Sequence, residues 1–299
     1  MSLRAKGMDA GGASREPHLL AMSATPIPRT LAMALYGDLD VSTIASAPPG
    51  RTPVRTRVFS EARREAVIER VRALVAEGRQ VYWVCPLVEE APERDGAPGR
   101  GTAELRNVEA TCAELRAALG PQADLVGLVH GRLPSARKAE VMADFAAARL
   151  RLLVATTVIE VGVDVPAASL MVIEHAERFG LSQLHQLRGR VGRGSVAAEC
   201  LLLFSEPLSE TARARLQALR DSGDGFALAQ KDLELRGPGE LLGQRQSGLQ
   251  ALRHADLRTD TVLLEQARDA AAALLRDDPD AAKTHLERWL GAGTDWLAA

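Results

Sequence analysis

Short runs of apolar, largely β-branched residues punctuate the chain at Val54–Phe59, Gln80–Cys85, Leu125–Val129, Leu152–Ala155, Ser169–Ile173 and Cys200–Phe204. Several are apolar at nearly every position, which is the pattern of a strand covered on both faces. Between them the period changes to that of a helix. Over Glu61–Glu77, residues Val67, Ile68, Val71, Leu74 and Val75 fall on one stripe, with Ser60 placed to cap the start and Gly78 to stop the end. Ala103–Leu119 and Ser135–Phe145 read the same way, the second announced by Pro134. Strand alternating with helix predicts an α/β fold, a mostly parallel sheet with helices on both sides.

Two regions break that alternation. Residues 1–46 hold a Gly-rich polar stretch, a single apolar run His18–Met22, then Ser23-Ala24-Thr25-Pro26 and a helix-like segment through Tyr36. A lone strand there has no neighbour to pair with. The stretch Ala47-Pro48-Pro49-Gly50-Arg51-Thr52-Pro53 reads as a linker, because each proline removes a ladder donor and biases its predecessor to extended geometry. Ala91–Gly101 reads as a mobile insertion. Beyond Ser205 the pattern is helical: Glu210–Asp221 and Phe226–Arg236 form a hairpin around Ser222-Gly223-Asp224-Gly225, and Thr261–Arg276 and Asp280–Leu290 follow. The reading divides the chain into 1–46, 47–206 and 207–299.

Composition narrows the possibilities. Apolar residues make up 46% and charged residues 25%, a mixture able to bury a core. Lys+Arg of 37 against Asp+Glu of 39 leaves a net charge of -2, so a polyanion must be met by a local patch and not by a global field. Cys85, Cys112 and Cys200 are far apart with no paired spacing, which predicts reduced, buried thiols in a cytoplasmic protein. The apolar stretch from Leu152 to Ile173 is long enough for a membrane span, but Glu160 and Asp164 near its centre would each cost roughly 3 kcal/mol there. No membrane partner is expected. The N-terminus has no basic region followed by an apolar run, so secretion is not expected either.

Two segments carry candidate chemistry. In Val154–Pro166 a buried strand ends in Thr156 and Thr157 at a helix start, where free backbone N–H groups and hydroxyls can grip a phosphate. Gly162 permits close backbone approach, and Asp164 offers an acceptor to a sugar hydroxyl. The same residues also fit an ordinary strand-to-helix turn with capping threonines. In Gln183–Gly194, three arginines alternate with glycines; on a helix, Arg190 and Arg193 would share one face. A pair of guanidinium forks suits the equatorial oxygens of a transferring phosphoryl group. A solvated basic turn is the plainer alternative.

Taken in this order and spacing, the segments resemble the superfamily 2 helicases and translocases. Ser23-Ala24-Thr25 resembles their motif III, Thr156–Pro166 their motif V, and Gln186–Arg193, with Gly189, the Q-x-x-G-R-x-x-R of motif VI. His130-Gly131-Arg132-Leu133, following a strand, resembles the family's loop beside the nucleic acid. Asp224-Gly225-Phe226, Leu233–Arg236 and Gly237–Gly248 resemble the translocation element of the RecG family of branched-DNA helicases. The resemblance covers about residues 18–276. It implies a RecA-like, P-loop NTPase type of sheet followed by a helical hairpin and tail. It assigns Arg190 and Arg193 to catalysis and Gly162, Asp164, Gln186 and Gly189 to nucleotide binding. It assigns Ser23, Ala24, Thr25, His130, Gly131, Arg132, Thr156, Thr157, Arg236, Gln244 and Arg245 to nucleic acid or to coupling. No residue is assigned to a metal.

A P-loop needs Gly-Lys-Ser/Thr, yet none of Lys6, Lys138, Lys231 and Lys283 follows a glycine, and the sequence contains no Asp-Glu pair. The chain is therefore expected to be the C-terminal portion of a larger ATP-dependent double-stranded DNA translocase that remodels stalled forks and Holliday junctions. ATP and Mg²⁺ would be held partly by an absent N-terminal motor domain, and the chain alone would not hydrolyse ATP. Residues 1–46, parted from their own sheet, would be disordered or displaced. The implied partners are branched DNA, the missing motor and wedge domains, and single-stranded DNA-binding protein, in a bacterial, nucleoid-associated setting. A transcription-repair coupling translocase, or a non-catalytic DNA- or protein-binding module that kept a helicase fold, remains an alternative.

Overall fold

A computed structural model describes residues 20, 22, 42–44, 52–86, 100–156, 165–194, 196–236 and 260–290. The expectations for 1–19, 23–41, the 91–99 insertion, Thr157, Gly162, Asp164, Gln244 and Arg245 lie outside the described residues, as does the side chain of Arg236. The described chain falls into two units, one running Ser42–Leu235 and the other including Arg236–Ala299.

The first unit is built on six strands: β1 (Arg55–Ser60), β2 (Gln80–Val84), β3 (Val126–Val129), β4 (Leu152–Ala155), β5 (Ala168–Ile173) and β6 (Glu199–Phe204). They form one sheet in the order β1-β6-β5-β2-β4-β3, and every pairing is parallel. The helices are α1 (Arg64–Ala76), α2 (Arg100–Leu119), α3 (Ser135–Ala146), α4 (Leu181–Arg188), α5 (Glu210–Asp221) and α6 (Gly225–Arg236). Alternate residues of each strand feed opposite faces. Val81, Trp83, Leu152, Val154, Leu170 and Val172 pack under α1 and α2, where Val67, Ile68, Val71 and Leu115 close the core. Tyr82, Val84, Leu153, Met171 and Ile173 pack on the other face beneath α3, α4 and α5, against Phe145, Leu184, Leu187 and Leu219. A strand buried on both faces has no polar side to show, which is why the runs read as continuously apolar.

The expected helix over Glu61–Glu77 is a short 3-10 turn, Glu61–Arg63, leading into α1. Ser60 does cap it, accepting from the Ala62 amide at 3.4 Å, and Gly78 follows with a left-handed φ of 78°. The hairpin of α5 and α6 packs with the sheet, α5 lying against β1, whereas the sequence grouping placed it with the C-terminal helices. In the second unit α7 (Thr261–Asp277) packs on α8 (Pro279–Leu290), where Ala282 is buried. Among the described residues no helix is long and apolar enough to cross a membrane.

Candidate functional site

Because all six strands run the same way, their carboxyl ends share one edge of the sheet. In spatial order that edge carries Ser60 and Glu61, Ser205, Glu174 and His175, Cys85, Thr156, and His130. Thr156 and His130 are neighbours: the Thr156 amide donates to the Val129 carbonyl at 3.2 Å. Both side chains are buried, 3% and 7% exposed, yet the Thr156 hydroxyl and His130 Nδ1 have no hydrogen-bond partner among the described residues. Leaving such groups unpaired costs about 1–3 kcal/mol each, so the pair calls for a polar group from outside the described residues. Burial pulls the His130 pKa down, Glu109 opposes this, and Lys138 and Arg132 add to it. The ring is therefore neutral at pH 7 and carries one donor and one acceptor nitrogen. Beyond it Gly131 and Arg132 are exposed in a tight turn closed by Leu133 N to His130 O, and Lys138 Nζ donates to the Gly131 carbonyl at 2.7 Å. This end of the sheet can receive an anionic oxygen from the carboxyl edge of β3 and β4.

The arginines lie at the opposite edge. Helix α4 starts after the carboxyl end of β5 and runs back along the sheet, ending at Arg188 with Gly189 as its cap. The expectation that Arg190 and Arg193 share a helical face is not met. After Arg188 the chain leaves the helix through Arg190 N to Leu187 O and Val191 N to Arg188 O, and Gly192 turns it with φ of 73°. A Cβ at Gly192 would sit 2.9 Å from Val54 Cγ2, and one at Gly194 would sit 2.5 Å from the Pro166 carbonyl oxygen. Val54, Ala198 and Pro166 precede β1, β6 and β5, so the turn is wedged against the amino ends of three strands. The glycines flanking Arg193 are thus required by backbone conformation and close approach.

Within that turn Arg190 is half-buried and Arg193 is exposed, and neither enters the hydrophobic interior. Arg193 Nε donates to the Gly189 carbonyl at 3.1 Å, which folds its fork back over the end of α4 beside Arg190. Gln186 is half-buried one turn earlier on α4. The motif V segment ends at Pro166, whose carbonyl lies close to Gly194. Two forks on a rigid turn fit one wall of a nucleotide site. Among the described residues, no cluster of three or more His, Cys, Asp or Glu side chains could hold a metal ion.

Arg188 has a role that the sequence pattern did not suggest. It is 6% exposed, and its Nη1 donates to the carbonyls of Leu219 at 2.7 Å and Ser222 at 2.8 Å, with Thr56 Oγ1 at 3.5 Å. Its Nη2 lies 2.9 Å from His185 Nδ1, which must accept, since a guanidinium can only donate. The stripe Leu181, Leu184, Arg188 was the available signal: helical spacing places Arg188 on the apolar face. Also unanticipated is a pair of charge clusters on the carboxyl edge. Arg64 binds Glu174 at 2.6 Å and Glu114, with its guanidinium 5.5 Å over the Trp83 ring; Cys85 Sγ donates to Glu174 at 3.4 Å. Burial and Glu174 together push the Cys85 thiol far up, so this cysteine is not a nucleophile. His175 meets Ser205 Oγ at 3.0 Å and Glu177 at 3.4 Å.

Comparison with known proteins agrees with this geometry. Residues 99–195 match the helicase conserved C-terminal domain, and residues 222–289 match the family described as ATP-dependent DNA helicase RecG, domain 3, C-terminal. A curated ATP-dependent DNA helicase RecG from Acidithiobacillus ferridurans is 55% identical over 280 residues, 94% of this chain and 39% of the relative. Its counterpart from Escherichia coli (strain K12) is 56% identical over 275 residues, 92% of this chain and 38% of the relative. The chain thus spans about two fifths of the length of the curated relatives it matches. A solved structure of RecG bound to a three-way DNA junction aligns with a TM-score of 0.65 at 43% identity, covering 85% of this chain and 31% of that one. On sheet topology, on the glycine-braced arginine turn and on these matches, the chain belongs to the RecG family of ATP-dependent DNA helicases and corresponds to their C-terminal part.

Proposed function

We propose that this chain is the part of an ATP-dependent duplex DNA translocase that completes the nucleotide site and grips DNA, and that the whole protein remodels branched DNA. The observation that carries this is the arrangement across one sheet: exposed and half-buried arginines on a glycine-braced turn at the amino edge, and buried polar groups without a partner among the described residues at the carboxyl edge. Residues 47–206 would be the second RecA-like domain, residues 207–299 the translocation hairpin, loop and tail, and residues 1–46 a piece of the first motor domain carrying Ser23, Ala24 and Thr25.

ATP supplies the free energy through transfer of its γ-phosphoryl group to water, with the P-loop and the magnesium-orienting carboxylates on the first motor domain. Arg190 and Arg193 present guanidinium groups to the developing charge, while Gln186 and Gly189 form the floor beneath them. Gly162 and Asp164 would complete that wall from motif V. At the other edge Thr156, Thr157 and His130, with Gly131 and Arg132, hold backbone phosphates. Arg236, Gln244 and Arg245 tie the hairpin and its loop to the motor. Branched DNA is the proposed substrate because the aligned relative is described as bound to a three-way junction; single-stranded DNA-binding protein and the wedge domain are proposed partners in a cytoplasmic, nucleoid-associated setting.

The test is reconstitution. The 299-residue chain alone should show no ATP turnover, and joining it to the N-terminal part of a relative should restore DNA-stimulated ATPase. Arg193→Ala should then cut that rate by about 10³–10⁵ without loss of DNA binding. Magnesium-dependent turnover by the chain alone, or an ATPase indifferent to Arg193, would overturn the reading.

A further inference from the structure

The two edges of the sheet are about one strand length apart, and the hairpin spans them. Helix α5 leaves the carboxyl end of β6 and runs back, so that its last turn, Leu219 to Ser222, arrives at the amino edge beside the arginine turn. Helix α6 then returns toward the carboxyl edge. Its Asp232, 5% exposed, accepts from Ser182 Oγ at 3.3 Å, and Ser182 stands in the first turn of α4. Helix α4 is therefore fastened to the hairpin at both ends: by Ser182–Asp232 at the carboxyl edge and by Arg188 at the amino edge.

The Arg188 end is the stronger fastening. The last carbonyls of α5 have no intrahelical partner and carry the negative end of the helix dipole. A buried guanidinium takes one of them, the Leu219 carbonyl at 2.7 Å, together with the carbonyl of the cap residue Ser222 at 2.8 Å, and the next residue along the chain is Gly189, whose carbonyl orients Arg193. Arg188 is thus one peptide bond from the floor of the arginine turn and in direct contact with the bend of the hairpin. A displacement of Arg190 and Arg193 cannot leave Leu219 and Ser222 behind without breaking charge-assisted hydrogen bonds in a buried site.

We propose that Arg188 is a positioning residue for energy coupling: it touches neither nucleotide nor DNA, and it locks the bend of the α5–α6 hairpin to the turn bearing Arg190 and Arg193, so that closure around nucleotide swings α6. The proposal rests on the motor reading above. It separates Arg188 from its neighbours in the same run: Arg190 and Arg193 act on the reaction, whereas Arg188 acts on what the reaction moves.

The experiment measures ATP turnover and duplex translocation together in the full-length protein. The first is the DNA-stimulated ATPase rate; the second is displacement of a triplex-forming strand from linear duplex DNA. Arg188→Lys keeps the charge but has a single nitrogen, which cannot serve the two carbonyls and His185 together, and Arg188→Met removes the donors while keeping the stem. Both should leave ATPase within about 2-fold of wild type and lower strands displaced per ATP by between about 2-fold and about 30-fold, the span of ordinary coupling energies. Lys should retain more than Met. Ser209→Ala, at the far end of α5, controls for stability: it should lower the melting temperature with the ratio unchanged. If Arg188→Met does not fold, Arg188→Lys alone decides. A proportional loss of ATPase and displacement, or no change in their ratio, overturns the proposal. Should Arg193→Ala in the same protein leave ATPase intact, the motor reading itself has failed, which is a separate result.

Discussion

At the scale of single residues, position in the backbone matters as much as chemical type. Gly192 holds a φ that an L side chain adopts only at a cost, and Gly194 lies where any Cβ meets the Pro166 carbonyl. Gly192→Ala and Gly194→Ala are each expected to destabilise the chain by about 1–3 kcal/mol, read as a lower urea midpoint. Both should also lower the reconstituted ATPase, since either change moves Arg193. Titration gives a second expectation. The hydrogen bond to Glu177 raises the His175 pKa above its ordinary 6.5; burial opposes this, Glu61 adds to the rise and Arg178 detracts. Burial pushes the Glu177 carboxyl up, but the hydrogen bond and charge of His175, with the Ser205 amide, outweigh it and leave the pKa below the ordinary 4.5. A raised histidine stabilises fully below its unfolded value and ceases to as pH rises through its folded value; a depressed carboxylate stabilises fully above its unfolded value and ceases to as pH falls through its folded one. The pair therefore contributes most between pH 4.5 and 6.5. Urea denaturation of His175→Gln against wild type, from about pH 5 to about pH 9, should show a penalty that shrinks as pH rises. A constant penalty would mean that His175 acts through packing alone.

At the scale of elements, the sequence was clearest where a period ran undisturbed. The stripe of Val67, Ile68, Val71, Leu74 and Val75 located α1, and each of those residues is buried. Helix α4 was harder to read. At eight residues it shows barely two turns, and the glycines and arginines after it carry no period, so its end at Arg188 was extended through Arg193. The turn that follows is set by tertiary contact: Gly192 lies against Val54 and Ala198, which precede β1 and β6, and the first of these is distant in sequence. Caps were legible because they are local. Ser209 accepts from the Ala212 amide at 3.1 Å to start α5, and Ser209→Ala should cost about 1 kcal/mol, read in the same urea titration. Buried polar residues such as Arg188 and Glu174 were not legible, because their partners are carbonyls and side chains brought in from other elements.

At the scale of the molecule, the parallel sheet sorts the functional residues by which end of a strand they follow. His130 and Thr156, which end β3 and β4, share one edge; the arginine turn, after a helix that retraces the sheet, shares the other with the starts of β1, β5 and β6. On the proposed function, such an arrangement would respond to nucleotide at one end and to DNA at the other, with α4, α5 and α6 between them. The expected behaviour of the reconstituted enzyme belongs to this scale. ATPase should depend on the amino-edge residues and DNA affinity on the carboxyl-edge ones. His130→Ala should therefore weaken DNA binding, measured by titration at fixed salt, with the basal ATPase unchanged.

By itself the amino-acid sequence determined the alternation of strands and helices, the burial of both sheet faces and the family. These follow from short-range periodicity and from contiguous motifs, which need no knowledge of what lies across space. Only the tertiary structure decided that the two motif groups face opposite edges, that Arg193 stands on a turn and not a helix, and that Arg188 points inward to the hairpin. Those outcomes depend on groups brought together by the fold, among them the Leu219 carbonyl, 31 residues from Arg188, and the Val54 side chain against Gly192, converging within hydrogen-bond or van der Waals distance.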